Sequence, residues 1–98
     1  MTFVQLEYIV AVDTYRHFAL AAEHCFVTQP TLSMQIQKME LELGVKIFDR
    51  SKQPVVPTEI GQQLVDQAKR ILSEKSMIDE LVQIKKGILT GKLLYEQR

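Results

Sequence analysis

Between Glu59 and Lys86 the chain has no proline and one glycine, Gly61, which falls in the first turn after the capping residue Thr58. An uninterrupted helix of that length, at about 1.5 Å per residue, is a rod of about 40 Å. The residues before it are too few to build a body that covers such a rod. Its seam reads Leu64, Ala68, Ile71, Lys75, Ile78, Val82, Lys85 and Leu89, a 4–3 alternation in which six of eight positions are apolar. Sustained a/d spacing of this kind predicts pairing with another chain. Leu64, Ala68, Ile71, Ile78, Val82 and Leu89 are therefore the expected dimer interface. The alternative is a long surface helix half-covered by its own domain. Gly87 and Gly91 are expected to close the helix, leaving a short tail from Lys92 to Arg98.

Composition bounds the rest. The chain has 98 residues, 46% of them hydrophobic and 24% charged, which is ordinary globular composition. Its one cysteine, Cys25, excludes disulfides and cysteine-based zinc sites, and reads as a small buried hydrophobe. His17 and His24 stand seven apart without a cysteine pair, so no metal is expected, and no cofactor either. His17 is read as a cap of the first helix or a phosphate contact. Neither a glycine-rich phosphate loop nor a catalytic carboxylate pair nor a Ser-His-Asp set can be argued, so the chain is not expected to be an enzyme. No apolar run approaches the ~20 residues that span a bilayer. Glu7 and the lack of a basic leader argue against a signal peptide. These features together predict a soluble cytoplasmic domain with no membrane partner.

Charge poses a difficulty. Twelve basic residues balance twelve acidic ones, with a pI near 6.7. Through Thr58, the basic residues Arg16, Lys38, Lys46, Arg50 and Lys52 face the acidic residues Glu7, Asp13, Glu23, Glu40, Glu42 and Asp49. Nucleic-acid modules usually carry a basic excess. Placement of charge, rather than its sum, has to decide.

Apolar spacing after Thr2 predicts a first helix over Phe3–Tyr15 on Leu6, Ile9, Val10 and Val12. A second, Phe18–His24, is thin-surfaced through Ala19, Ala21 and Ala22, which lets another helix approach closely. The third has clear punctuation: Thr28 as N-cap, Gln29 and Pro30 in the first turn, and Gly44 as left-handed C-cap. Leu32, Ile36, Met39 and Leu43 form its apolar stripe. Its other face shows Thr31, Ser33, Met34, Gln35, Gln37 and Lys38. Lys46–Phe48 and Val55–Val56, around a polar link with Pro54, predict a small two-stranded hairpin. Two short helices with a tight turn, the second with an uncharged hydrogen-bonding face, are the physical content of a helix-turn-helix. Gln29, Thr31, Ser33 and Gln35 supply groups that reach base edges, and the N–H groups after Thr28 can take a phosphate.

The run from Phe18 to Gly61 holds Ala21-Ala22, Val27-Thr28-Gln29-Pro30-Thr31-Leu32-Ser33, Gln35-Ile36, Glu40, Leu43-Gly44, Phe48, Arg50 and Thr58…Gly61. It closely resembles the N-terminal domain of LysR-type transcriptional regulators, and the likeness covers nearly the whole chain. His17-Phe18, the Gln-Pro-Thr-Leu-Ser run and Leu64–Ala68 look most like the peroxide-responsive OxyR activators in that family. The resemblance implies a mainly α, winged helix-turn-helix fold over residues 1–58. It further implies a linker and dimerisation helix over 59–89, and a tail or hinge over 90–98. Family members add an effector-binding domain of two α/β subdomains and usually form tetramers; that domain's alternation of strands and helices does not occur in these 98 residues. Gly91-Lys92-Leu93-Leu94 begins the family's hinge motif, and Tyr95–Arg98 does not complete it.

By position, the resemblance puts Gln29, Pro30, Thr31, Ser33 and Met34 in the major groove of double-stranded DNA. Thr28, Ser33, Gln35 and Lys38 fall on phosphates or sugars, and Arg50 and Lys52 on the adjacent minor groove or its phosphates. Position 34 is often arginine in the family; Met34 shifts preference toward A·T-rich sites. Gln53 stands where a further wing arginine is frequent, so the salt dependence should be shallow. A homodimer implies an inverted-repeat operator. The implied function is sequence-specific DNA binding by an OxyR-like activator of oxidative-stress genes, with peroxide chemistry left to the missing domain. The rival reading, supported by the neutral charge, is a protein-interaction module that uses the long helix and binds no DNA.

Overall fold

A computed structural model describes the backbone of residues 1–96 and the side chains of residues 1–87. The elements are α1 (Phe3–Tyr15), α2 (Phe18–His24), α3 (Gln29–Leu43), β1 (Phe48–Asp49), β2 (Val56–Pro57) and α4 (Glu59–Glu96). The fold is mainly α, with the predicted small antiparallel hairpin, in which Phe48 pairs with Pro57 and Asp49 with Val56. The first three helices begin and end at the predicted residues because their caps are local. Thr2 and Gln5 form a capping box, and Thr28 and Gly44 bracket α3. His17 differs from its expected role. Its Nδ1 accepts from Leu20 N–H at 3.1 Å, so it caps the start of α2 rather than α1, whose end is closed by Arg16 in the left-handed region.

One core holds these elements together. Ile9 and Val12 of α1, Leu32, Ile36 and Met39 of α3, Ile47 before β1, and Val65 of α4 are fully enclosed. Ala21 and Ala22 of α2 are buried in the same core, their small side chains allowing neighbouring helices to approach closely. The predicted α3 stripe needs one correction. Leu43 is 41% exposed because it lies in the last turn, past the edge of the core. Glu40 is buried instead, its Oε2 accepting from Ile47 N–H at 2.8 Å. A carboxylate there satisfies the amides at the root of the wing, which an apolar side chain could not.

The root of α4 is close-packed. Thr58 Oγ1 accepts from Gly61 N–H at 3.0 Å and donates to Lys46 O at 2.6 Å. A β-carbon on Gly61 would fall 1.8 Å from Ile47 O, so only glycine lets the helix sit against that backbone. Asp13, 9% exposed, draws Arg16 to 3.0 Å and Lys69 to 3.6 Å, clamping α1 to α4.

Two expectations for α4 change. The helix does not stop at Gly87 or Gly91 but continues to Glu96. A glycine inside a helix costs about 1 kcal/mol against alanine and does not by itself break the hydrogen-bond ladder. The expected seam also divides. Ala68 is 1% exposed, and Leu64 and Ile71 pack on the core, so the first third of the seam docks the helix on its own body. Lys75 reaches over the Phe3 ring at 5.5 Å. Only beyond this point do Ile78 and Val82 stand open, 63% and 46% exposed. Leu89 lies outside the described side chains.

Candidate nucleic-acid interface

Residues 25–28 turn the chain from α2 into α3. The turn is pinned to α2 by Cys25 N–H to Ala21 O, Phe26 N–H to Glu23 O and Val27 N–H to Ala22 O, at 3.0–3.1 Å. Phe26 closes it in a left-handed conformation at φ 58° with its ring 95% exposed. That conformation costs a residue with a β-carbon roughly 1–2 kcal/mol. Sequence reasoning passed over Phe26, since nothing local signals a left-handed phenylalanine. Cys25 beside it is half-buried; burial first, and the Glu7 charge second, push its thiol pKa up. The thiol is thus held protonated and poorly nucleophilic.

On α3 the buried residues Leu32, Ile36, Met39 and Glu40 face inward, and Gln29, Pro30, Thr31, Met34, Gln37 and Lys38 are exposed. Gln29, Pro30, Ser33, Met34 and Gln37 fall on one outward face by helical spacing, free of any charge. Gln37, which sequence reasoning did not single out as a site residue, extends this uncharged face by a turn. Met34 is 58% exposed at its middle.

The hydrogen-bonding groups around this face are held from behind. Thr28 Oγ1 accepts from Thr31 N–H at 3.4 Å and donates to Thr31 Oγ1 at 2.8 Å. Gln5, 2% exposed, donates through Nε2 to Gln35 Oε1 at 3.2 Å, which turns the Gln35 carbonyl inward and leaves its amino group outward. Arg50 donates through Nη1 to Ser33 Oγ at 2.6 Å. Its Nη2 lies 3.9 Å from Glu40 Oε1, and its guanidinium sits 4.5 Å over the Phe18 ring. The wing and α3 are therefore joined through Ser33 and Arg50, a pair that the family resemblance assigned to different DNA features. Lys38 on α3 and Lys52 in the wing are both exposed. In the wing, the Ser51 hydroxyl and N–H hold Asp49 below the usual carboxylate range, with Lys52 adding to this.

This architecture has a clear counterpart among known families. Residues 3–62 match the model of the bacterial regulatory helix-turn-helix protein, lysR family. The chain belongs to that family. Among curated LysR relatives, the hydrogen peroxide-inducible genes activator of Haemophilus influenzae is 43% identical over 95% of this chain and 31% of its own length. The chain thus spans under a third of the relatives it matches. Full-length OxyR from Pseudomonas aeruginosa superposes with a TM-score of 0.81, 48% identical over 86% of this chain and 28% of that one. The BenM DNA-binding domain, solved in complex with its catB site 1 DNA, gives 0.78, at 36% identity over 93% of this chain and 95% of that one. Among the described residues no helix is long and apolar enough to cross a membrane, and no group of three or more His, Cys, Asp or Glu could hold a metal ion.

Proposed function

We propose that this LysR-family chain binds double-stranded DNA sequence-specifically as a homodimer, the DNA-reading part of a peroxide-responsive activator of the OxyR type. The observation that carries the reading is the uncharged outward face of α3, set by the Thr28 cap at an angle free of the body. That a BenM domain solved on DNA superposes over nearly the whole chain supports it. Residues 1–58 make the reading head, and α4 joins two heads. Gln29, whose amide can pair bidentately with adenine, reads bases together with Pro30, Thr31, Ser33 and Met34. Met34 and Pro30 offer apolar contact to thymine methyl groups, which favours A·T-rich inverted repeats. Thr28, Gln35, Lys38 and Lys52 hold phosphates and sugars. The chain acts by binding, in the cytoplasm, and in a longer parent two dimers form a tetramer.

Net neutrality is compatible with this because two heads on one duplex bind as a single bivalent ligand, gaining avidity without extra charge. The same neutrality favours a protein-docking module as the second reading. Anisotropy titration against A·T-rich inverted repeats at two salt concentrations separates them. Saturable binding that weakens with salt is expected, and Gln29→Ala should cost roughly 1–3 kcal/mol of it with circular dichroism unchanged. An intact dimer that ignores DNA at low salt would leave the docking module standing.

A further inference from the structure

Ser33 is half-buried on the reading face, and its hydroxyl has a single proton. A free serine hydroxyl can serve a base edge as donor or acceptor, so by itself it discriminates weakly. Here its oxygen meets a guanidinium, which has donors only. At 2.6 Å, Ser33 Oγ must therefore accept from Arg50. Its own proton finds no acceptor among the described residues and is left to point outward. The guanidinium is not free to swing away. It is stacked on Phe18 at 4.5 Å and faces the buried Glu40, whose Oε1 has no hydrogen-bond partner of its own.

We propose that Arg50 is a positioning residue that fixes the Ser33 hydroxyl by occupying one of its two acceptor lone pairs, so that this point of the reading face favours hydrogen-bond acceptors on DNA. Purine N7, guanine O6 or thymine O4 satisfies its proton; the amino groups of adenine and cytosine are left only the one remaining lone pair. Arg50 then acts through Ser33 and not as a wing cation on phosphate. The inference rests on the DNA-binding function proposed above, and the two can fail separately.

The test uses the whole chain and a duplex recovered from a random library by the wild type, with a scrambled duplex as control. Anisotropy titrations at three salt concentrations compare the wild type, S33A, R50K, E40Q, E40Q/R50A and E40Q/R50A/S33A. The E40Q background avoids stranding a buried charge when Arg50 is removed. Relative to E40Q, E40Q/R50A should lose about tenfold or more on the selected duplex, the scale of one base contact. Adding S33A should cost nothing further, and S33A alone should match that loss. The salt slope and the scrambled-duplex affinity should not move. R50K keeps a cation beside Glu40 but cannot also stack on Phe18 and reach Ser33, so it should fall with S33A; it decides the matter if E40Q/R50A does not fold. Losses that multiply, a salt slope lower by about one, or wild-type binding by R50K would overturn the inference and leave DNA binding intact. A wild type that binds no duplex at low salt would overturn both.

Discussion

The body and the far part of α4 use apolar side chains in opposite ways. In the body, Ile9, Val12, Leu32, Ile36, Met39, Ile47 and Val65 are all less than 2% exposed. Along α4 past Leu72, Met77, Ile78, Leu81, Val82 and Ile84 remain 45–63% exposed. Exposed apolar faces of that extent commonly mark contact surfaces. The body closes its own core, whereas the far rod leaves its apolar side chains uncovered, the surface on which the proposed dimer would pair. The boundary falls where the seam passes from Ala68 to Ile78, so one continuous pattern is buried against the body at one end and exposed at the other.

Substitutions can set the two regions against each other. Ile78→Asp should have the largest effect, because a twofold interface buries the new carboxylate twice without a partner, at about 3–5 kcal/mol or more of association. Sedimentation should show the monomer mass with the body still folded; an unchanged dimer would move the interface elsewhere. Ile36→Ala should do the converse, costing about 2–5 kcal/mol of body stability as a cavity in an enclosed site. Thermal melting reads that loss, and a melt unchanged at fixed concentration would mean the core is looser than its burial implies. A smaller effect is expected at the exception within the body, Phe26. Phe26→Gly removes the left-handed penalty and gives up little packing, so the melt should rise by about 1 kcal/mol of stability. A fall would show that the exposed ring is in contact in solution. The smallest effect is in the wing. Asp49 has its pKa lowered by Ser51, so its contribution is present above the ordinary carboxylate value of 3.8 and is lost as pH falls through the lower folded value. Ser51→Ala should weaken that acid-sensitive component of the wing's amide protection, leaving the backbone N–H bond to Asp49, and no change would show that the hydroxyl bond contributes nothing.

What could be read in advance follows the range of the interactions. The limits of the first three helices were legible because caps such as Thr2, Thr28 and Gly44 act within a turn of themselves, whereas the far end of α4 was not. The outward face of α3 was legible because helical spacing alone separates Gln29 and Met34 from Leu32 and Ile36. Hidden from the sequence were features set by distant partners. Glu40 looks like a surface residue until the amides of Ile47 and Phe48 are placed beside it. Arg50 looks like a free wing cation until Ser33, Glu40 and Phe18 are folded around it. The seam's apolar spacing gives no sign of where the body beneath it ends.

The bare contact of Gly61 with the Ile47 carbonyl has a mechanical consequence. Main chain rests on main chain there, with no compliant side chain as a cushion, so the direction in which the rod leaves the body is set as a hinge pin sets a door. Over a molecule 58 Å long, a tilt of a few degrees at that fulcrum swings the far end by several ångström. The lever works in both directions: a shift in how two rods cross would be delivered to the heads almost undamped, and would change how far apart they stand.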